Sequence, residues 1–159
     1  MALADFTSAE LMVPQLQGRD AATVIRELCS VLQRAARVPD LLPFYHAALN
    51  REFLLSTAMD YGLAFPHARV IGLSRLSFAL GRSAEPLLWV PKGRPPVRLV
   101  FLCAVPATEA ATYLLLTSGL ARLAVEPQHL QTLLEAPGSS EMLDALGQVR
   151  FRLAQPAAQ

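Results

Sequence analysis

Lysine is almost absent from this chain: only Lys92 stands among the fourteen basic side chains, and neither sign of charge gathers into a block. A surface that reads phosphate backbones needs clustered Lys and Arg, so nucleic acid is excluded as the natural partner. Thirteen acidic side chains leave a net charge of +1. Long apolar runs are missing too. The richest, Leu99 to Val105, is well short of the roughly 18 residues that a membrane-spanning helix requires. The opening "MALADFTSAEL" places Asp5 where a signal peptide carries basic charge. The expectation is a soluble, cytoplasmic protein with no membrane insertion. Cysteine is scarce, and Cys29 and Cys103 both lie in apolar segments, which reads as reduced core thiols rather than a disulfide framework.

What the chain does have is apolar residues, 53% of 159, enough for a core of its own. No linker or repeat divides it. The expectation is one domain over residues 1–159, with a core over about 10–148 and a frayed tail over 154–159. Apolar residues every three or four positions from Asp20 to about Arg37 predict an amphipathic helix with Asp20 as N-cap. A second helix is predicted over Asp40 to Phe53, with Pro43 tolerated in its first turn.

Gly62 to Pro66 reads as a short strand, and "LSRLSFALGRS" alternates Leu76, Phe78 and Leu80 as a half-buried strand does. "PLLWV" is a further strand candidate before the turn "PKGRPP". "VRLVFLCAVP" is apolar throughout and suits a central strand covered on both faces. Thr108 is predicted to cap a helix reaching Val125, Pro127 to open another, and Ser139 or Ser140 to cap a last one. Helices alternating with strands around one apolar strand indicate a three-layer α/β domain.

The chemistry concentrates at "YGLAFPHAR". Pro66 fixes its own φ and drives Phe65 into an extended conformation, so the backbone entering His67 has little freedom. An imidazole so aimed, with a pKa near neutrality, can be a nucleophile, a general base or a metal ligand. It can equally be a hydrogen-bonded residue at a strand end. His46 and His129 fall on separate predicted helices, and no His, Cys, Asp or Glu cluster has ligand spacing, so no metal is expected. Nothing places Ser56 or Thr57 in a catalytic triad with it.

"REFLLST" followed by "YGLAFPHAR" resembles the signature of type 2 enzyme IIA domains of the bacterial phosphotransferase system, the fructose, mannitol and nitrogen-regulatory class. With "FALGRS", the apolar strand and the helix after a "VP" break, the likeness covers roughly residues 10–148. It implies a three-layer sandwich with a mixed central β-sheet flanked by helices. It also implies that His67 receives a phosphoryl group from a phosphohistidine carrier of the HPr type, with Arg51 beside it. Guanidinium suits that place, since its planar fork binds phosphate oxygens bidentately. Ser56 and Thr57 match a Ser-Thr pair whose hydroxyls or amides can hydrogen-bond the phosphoryl oxygens. No metal or organic cofactor is implied.

Two features depart from the pattern. Tyr113 falls where family members carry a second histidine, and a tyrosine hydroxyl donates a hydrogen bond without reaching a cationic form near neutrality. Ala58, Met59 and Asp60 replace the glycines that follow the Ser-Thr pair, and an inward Asp60 would oppose a dianion. Two readings follow. One is a phosphocarrier, in nitrogen-regulatory signalling first and sugar uptake second, since no permease segment is attached; it hands its group to a sugar-specific IIB component or answers to a regulatory target. The other is a non-catalytic regulatory module that kept the fold and lost efficient transfer. An apolar rim of Phe65, Val70 and Ile71 around His67 would serve carrier docking or self-association equally well.

Overall fold

Nine consecutive residues without a turn former, 97–105, closed by Pro106, make the strand on which the rest is built, and all ten but Arg98 are buried. In the computed structural model, which describes residues 1–90 and 96–152, this is the last of five strands: β1 (Met12–Val13), β2 (Leu63–Ala64), β3 (His67–Val70), β4 (Ser77–Leu87) and β5 (Val97–Pro106). Five α-helices surround them: α1 (Ala21–Arg34), α2 (Leu41–Leu54), α3 (Ala110–Val125), α4 (Pro127–Glu135) and α5 (Ser139–Gly147). The sheet runs β1-β4-β5-β2, with β3 also on β5. It is mixed, β4 lying antiparallel to β5 and β2 and β3 parallel to it. The three-layer, mixed-sheet reading of the sequence is the fold found. The "PKGRPP" turn, apart from Pro96, and the tail at 154–159 lie outside the described residues.

β2 and β3 are one strand with an interruption. Leu63 lies opposite Leu99 and His67 opposite Cys103, so both segments keep the same register along β5. The break falls at Phe65 and Pro66 because proline has no N–H to donate to the ladder. Its carbonyl still accepts from the Cys103 amide at 2.9 Å. The expected strand Gly62 to Pro66 therefore needs correcting: pairing starts at Leu63 and resumes at His67, which stands in the sheet rather than behind it.

Other corrections have local causes. Ala79 is as fully buried as Phe78 and Leu80, so β4 is covered on both faces over its first half and not half-buried there. "PLLWV" is no separate strand: Pro86 and Leu87 end β4, and the next three residues leave the sheet. Thr108 does not cap α3; Glu109 takes the N-cap position and accepts from the Thr112 hydroxyl. Gly138 takes the N-cap position of α5, so Ser139 and Ser140 lie inside the helix and do not cap it; the Ser139 hydroxyl donates to the Met12 carbonyl at 3.3 Å. Asp20 caps α1 as expected, accepting from the Thr23 amide at 2.8 Å. α1 ends at Arg34, with Ala36 in the left-handed region at φ 57°.

The buried set extends past residues 10–148. Leu3, Phe6 and Phe151 belong to it, Phe6 stacks on Phe151 at 6.3 Å, and the Thr7 hydroxyl donates to the Phe78 carbonyl at 2.7 Å. Two 3-10 turns, Leu3–Phe6 and Ala9–Leu11, lead the chain into β1.

Arg82 on β4 ties the two ends of the sheet's neighbourhood together. Its guanidinium donates to the carbonyls of Pro14, Leu133, Leu134 and Ala136, at 2.7 to 3.2 Å. Three of these carbonyls lie at the C-terminal end of α4, where intrahelical partners run out. Arg82→Ala is expected to lower stability by on the order of 3 kcal/mol, because charge-assisted bonds to part-buried carbonyls are lost together. The shift of a urea unfolding midpoint measures it.

Candidate functional site

His67 owes its place to three backbone facts. Pro66 stiffens the entry, pairing with β5 fixes the height along the sheet, and the period of two puts His67 and Arg69 on one face and buried Ala68 on the other. The ring is half-buried. Its Nδ1 lies 3.0 Å from the Phe65 carbonyl oxygen, and a carbonyl only accepts, so in the neutral ring the proton sits on Nδ1 and the lone pair on Nε2.

Burial of the ring is the main cause holding the His67 pKa below its ordinary 6.5; the Phe65 carbonyl opposes it, and the Arg51 guanidinium adds to it. The neutral form thus persists to lower pH than in a free imidazole. When pH drops past 6.5, the unfolded chain takes up this proton before the folded one. The residue's contribution to stability is therefore complete above 6.5 and is lost as pH falls through the lowered folded value. An NMR titration of the ring should place its midpoint below 6.5; a midpoint at or above that value would contradict the environment described.

The ring of Tyr113, from the first turns of α3, lies 5.2 Å from that of His67, centroid to centroid. Burial, then the neighbouring Cys103, push its hydroxyl pKa up to about 12, so it is a neutral donor at physiological pH. Between these rings opens a pocket of about 270 Å³, lined also by Thr57, Met59, Phe65 and Thr117. That is several times the roughly 30 Å³ share of one water molecule, so a small tetrahedral anion has room. No carboxylate lines it.

Arg51 comes from the last turn of α2, and its Nη1 donates to the Leu55 carbonyl at 2.7 Å. That bond leaves most of the guanidinium fork unused. Its field reaches both rings, opposing protonation of His67 and favouring ionisation of Tyr113. Arg69 acts in the same sense on both. The structure therefore pairs the rings of His67 and Tyr113 across the pocket, while Arg51 and Arg69 act on both through their charge and do not line it.

Thr57 lines the pocket, but its hydroxyl is already engaged. It donates to Glu52 Oε2 at 2.8 Å and accepts from the Phe65 amide at 2.8 Å. The Ser56 hydroxyl and the Thr57 amide likewise go to Glu52 Oε1, at 3.1 and 2.8 Å. The free hydroxyl or amide expected here for phosphoryl oxygens is thus committed to an internal carboxylate. Asp60 is exposed and does not line the pocket. Of the expected rim, Phe65 lines the pocket, packed on Phe101 at 5.5 Å, whereas Val70 and Ile71 follow His67 up the strand and do not. Met59 supplies exposed apolar surface instead.

Sequence reasoning gave no role at the site to Glu52, Trp89 or Arg69. Glu52 adjoins Arg51 in the motif already singled out, and Arg69 is two residues past His67, so both had a signal. Trp89 pairs with Glu52 across 37 positions, and no local pattern announces that. Among the described residues no group of three or more His, Cys, Asp or Glu side chains is placed to hold a metal ion. Nor is any helix there long and apolar enough to cross a membrane.

Known proteins resemble this chain in sequence and in fold. Residues 5–149 match a family model described as phosphoenolpyruvate-dependent sugar phosphotransferase system, EIIA 2. A fructose-specific EIIABC component of the same system from Bacillus subtilis is 32% identical over 135 residues, 84% of this chain. The chain spans only 21% of that protein's length. Among solved structures, the nitrogen regulatory protein IIA-Ntr of Neisseria meningitidis superposes with a TM-score of 0.75 at 23% identity, covering 91% of this chain and 98% of that one. Enzyme IIA of the Escherichia coli mannitol system, solved in complex with phosphorylated enzyme IIB, gives 0.73 at 17% identity, over 87% of this chain and 95% of that one. At these identities the two structures speak for the fold.

Proposed function

The chain belongs to the EIIA 2 family of the phosphoenolpyruvate-dependent sugar phosphotransferase system, and from that premise we propose that it is a cytoplasmic phosphocarrier whose His67 accepts a phosphoryl group from an HPr-type phosphohistidine protein. One observation carries the reading: Nδ1 is tied to the Phe65 carbonyl, which leaves Nε2 as the nitrogen with a lone pair beside an open pocket. In the transfer, the donor's N–P bond breaks with its electron pair returning to the donor imidazole, and a P–Nε2 bond forms. The Nδ1 proton keeps its hydrogen bond throughout. The positive charge created on the His67 ring is shared with that carbonyl, and the phosphoryl oxygens face Arg51 and the Tyr113 hydroxyl. Position and charge neutralisation supply most of the catalysis in such steps.

The group then passes to a IIB component, the class of partner seen with the mannitol enzyme IIA, or is held as a signal read by a regulatory target. The fructose and nitrogen-regulatory relatives correspond to these two fates. Incubation with phosphoenolpyruvate, enzyme I and HPr tests the proposal. The expected product is the chain carrying one acid-labile phosphoryl group.

A second reading is favoured by Tyr113, which offers a neutral donor where the family pattern has a second imidazole. It is a regulatory module that keeps the fold and binds partners without accepting phosphate. No phosphoryl uptake under those conditions would select it.

A further inference from the structure

Glu52 is a carboxylate with only 4% of its surface exposed, one helical step from Arg51 and outside every role given so far. Burying such a group is costly unless it is fully hydrogen-bonded. Here four donors converge on it: the Ser56 hydroxyl, the Thr57 amide, the Thr57 hydroxyl and, at 2.7 Å, the indole N–H of Trp89. Trp89 is the only tryptophan of the chain and is itself buried. An apolar cluster of the same volume would stabilise the fold about as well, so what the polar network adds is a fixed geometry.

That geometry ends at the His67 ring. Trp89 and Thr57 hold opposite oxygens of Glu52, the Thr57 hydroxyl accepts from the Phe65 amide, and the Phe65 carbonyl accepts from Nδ1. Phe65 is thereby held at both its N–H and its C=O, with Pro66 restricting the bond between them and the next residue. We propose that Trp89 and Glu52 are positioning residues of the site: by fixing the Thr57 hydroxyl they hold the Phe65 carbonyl against Nδ1, and so keep His67 in the single tautomer that exposes a lone pair at Nε2. Only a carboxylate does this, since the one oxygen of a glutamine amide cannot accept from donors on both sides.

The proposal rests on the phosphocarrier reading for its purpose but not for its test. Two-bond proton-nitrogen NMR spectra of the unphosphorylated protein distinguish the tautomers of His67 directly. The native ring should be wholly Nδ1-protonated. Trp89→Phe, which keeps bulk and removes the donor, should show a mixture of tautomers, and its phosphoryl uptake should slow by on the order of tenfold, the scale of a sub-ångström misalignment. If that variant does not fold, Thr57→Val and Thr57→Ser decide the matter: valine should give the mixture and serine the native ring. A pure native tautomer in Trp89→Phe, or in Thr57→Val, overturns the proposal. Mixed tautomers in the variants of a chain that takes up no phosphate leave the positioning role standing and refute the phosphocarrier reading instead.

Discussion

His67→Ala should take up no acid-labile phosphoryl group under conditions that label the native chain to completion. The expectation is total loss because no other nucleophile in the pocket can substitute. Tyr113 has its hydroxyl pKa pushed up to about 12 and is almost wholly un-ionised at neutral pH. The Thr57 hydroxyl already donates to Glu52 and accepts from Phe65, and the Thr117 hydroxyl donates to the Leu114 carbonyl of its own helix. His46 and His129 lie on α2 and α4, away from the pocket lining. The fold should survive, since the lost ring is only half-buried and its one hydrogen bond is to a carbonyl next door in sequence; a change of no more than about 1 kcal/mol is the scale for such positions. Mass spectrometry before and after acid treatment, with a thermal melt alongside, measures both. Labelling that persists in the variant would move the site elsewhere.

The second large effect is expected at Arg51. Arg51→Ala should slow phosphoryl uptake by roughly 10² to 10³-fold, the range seen when a preorganised group facing developing charge is removed. Arg51→Lys should recover only part of this, because an ammonium cannot hold the Leu55 carbonyl and present a two-pronged donor at once. A second readout separates charge from structure. Arg51 is one of the causes holding the His67 pKa down, so the alanine variant should titrate at higher pH than the native ring and the lysine variant much less so. A rate unchanged in Arg51→Ala would mean that the phosphoryl group does not face this guanidinium.

The strongest features were legible in the sequence where one residue type dictates one conformation. β5 could be read because continuous apolar β-formers leave no amphipathic alternative, and α1 because Asp20 caps a clear stripe. The stiff presentation of His67 followed from Pro66 alone. What could not be read depends on contacts between distant segments. β2 and β3 become one interrupted strand only because β5 offers both a common register. Ser139 has the right chemistry for a cap, but the helix starts at it, after Gly138, and its hydroxyl is turned to the Met12 carbonyl. Thr57 matched a motif that suggested a free donor, but its hydroxyl donates its hydrogen bond to the buried Glu52, itself held by Trp89.

With Nδ1 of His67 occupied by the Phe65 carbonyl, Nε2 is the nitrogen expected to receive the phosphoryl group. Phosphorus-nitrogen correlation NMR on the phosphorylated, nitrogen-labelled protein locates the bond. A single P–Nε2 linkage on His67 is expected, with Nδ1 still protonated. A phosphoryl group on Nδ1, or on any other side chain, would contradict it.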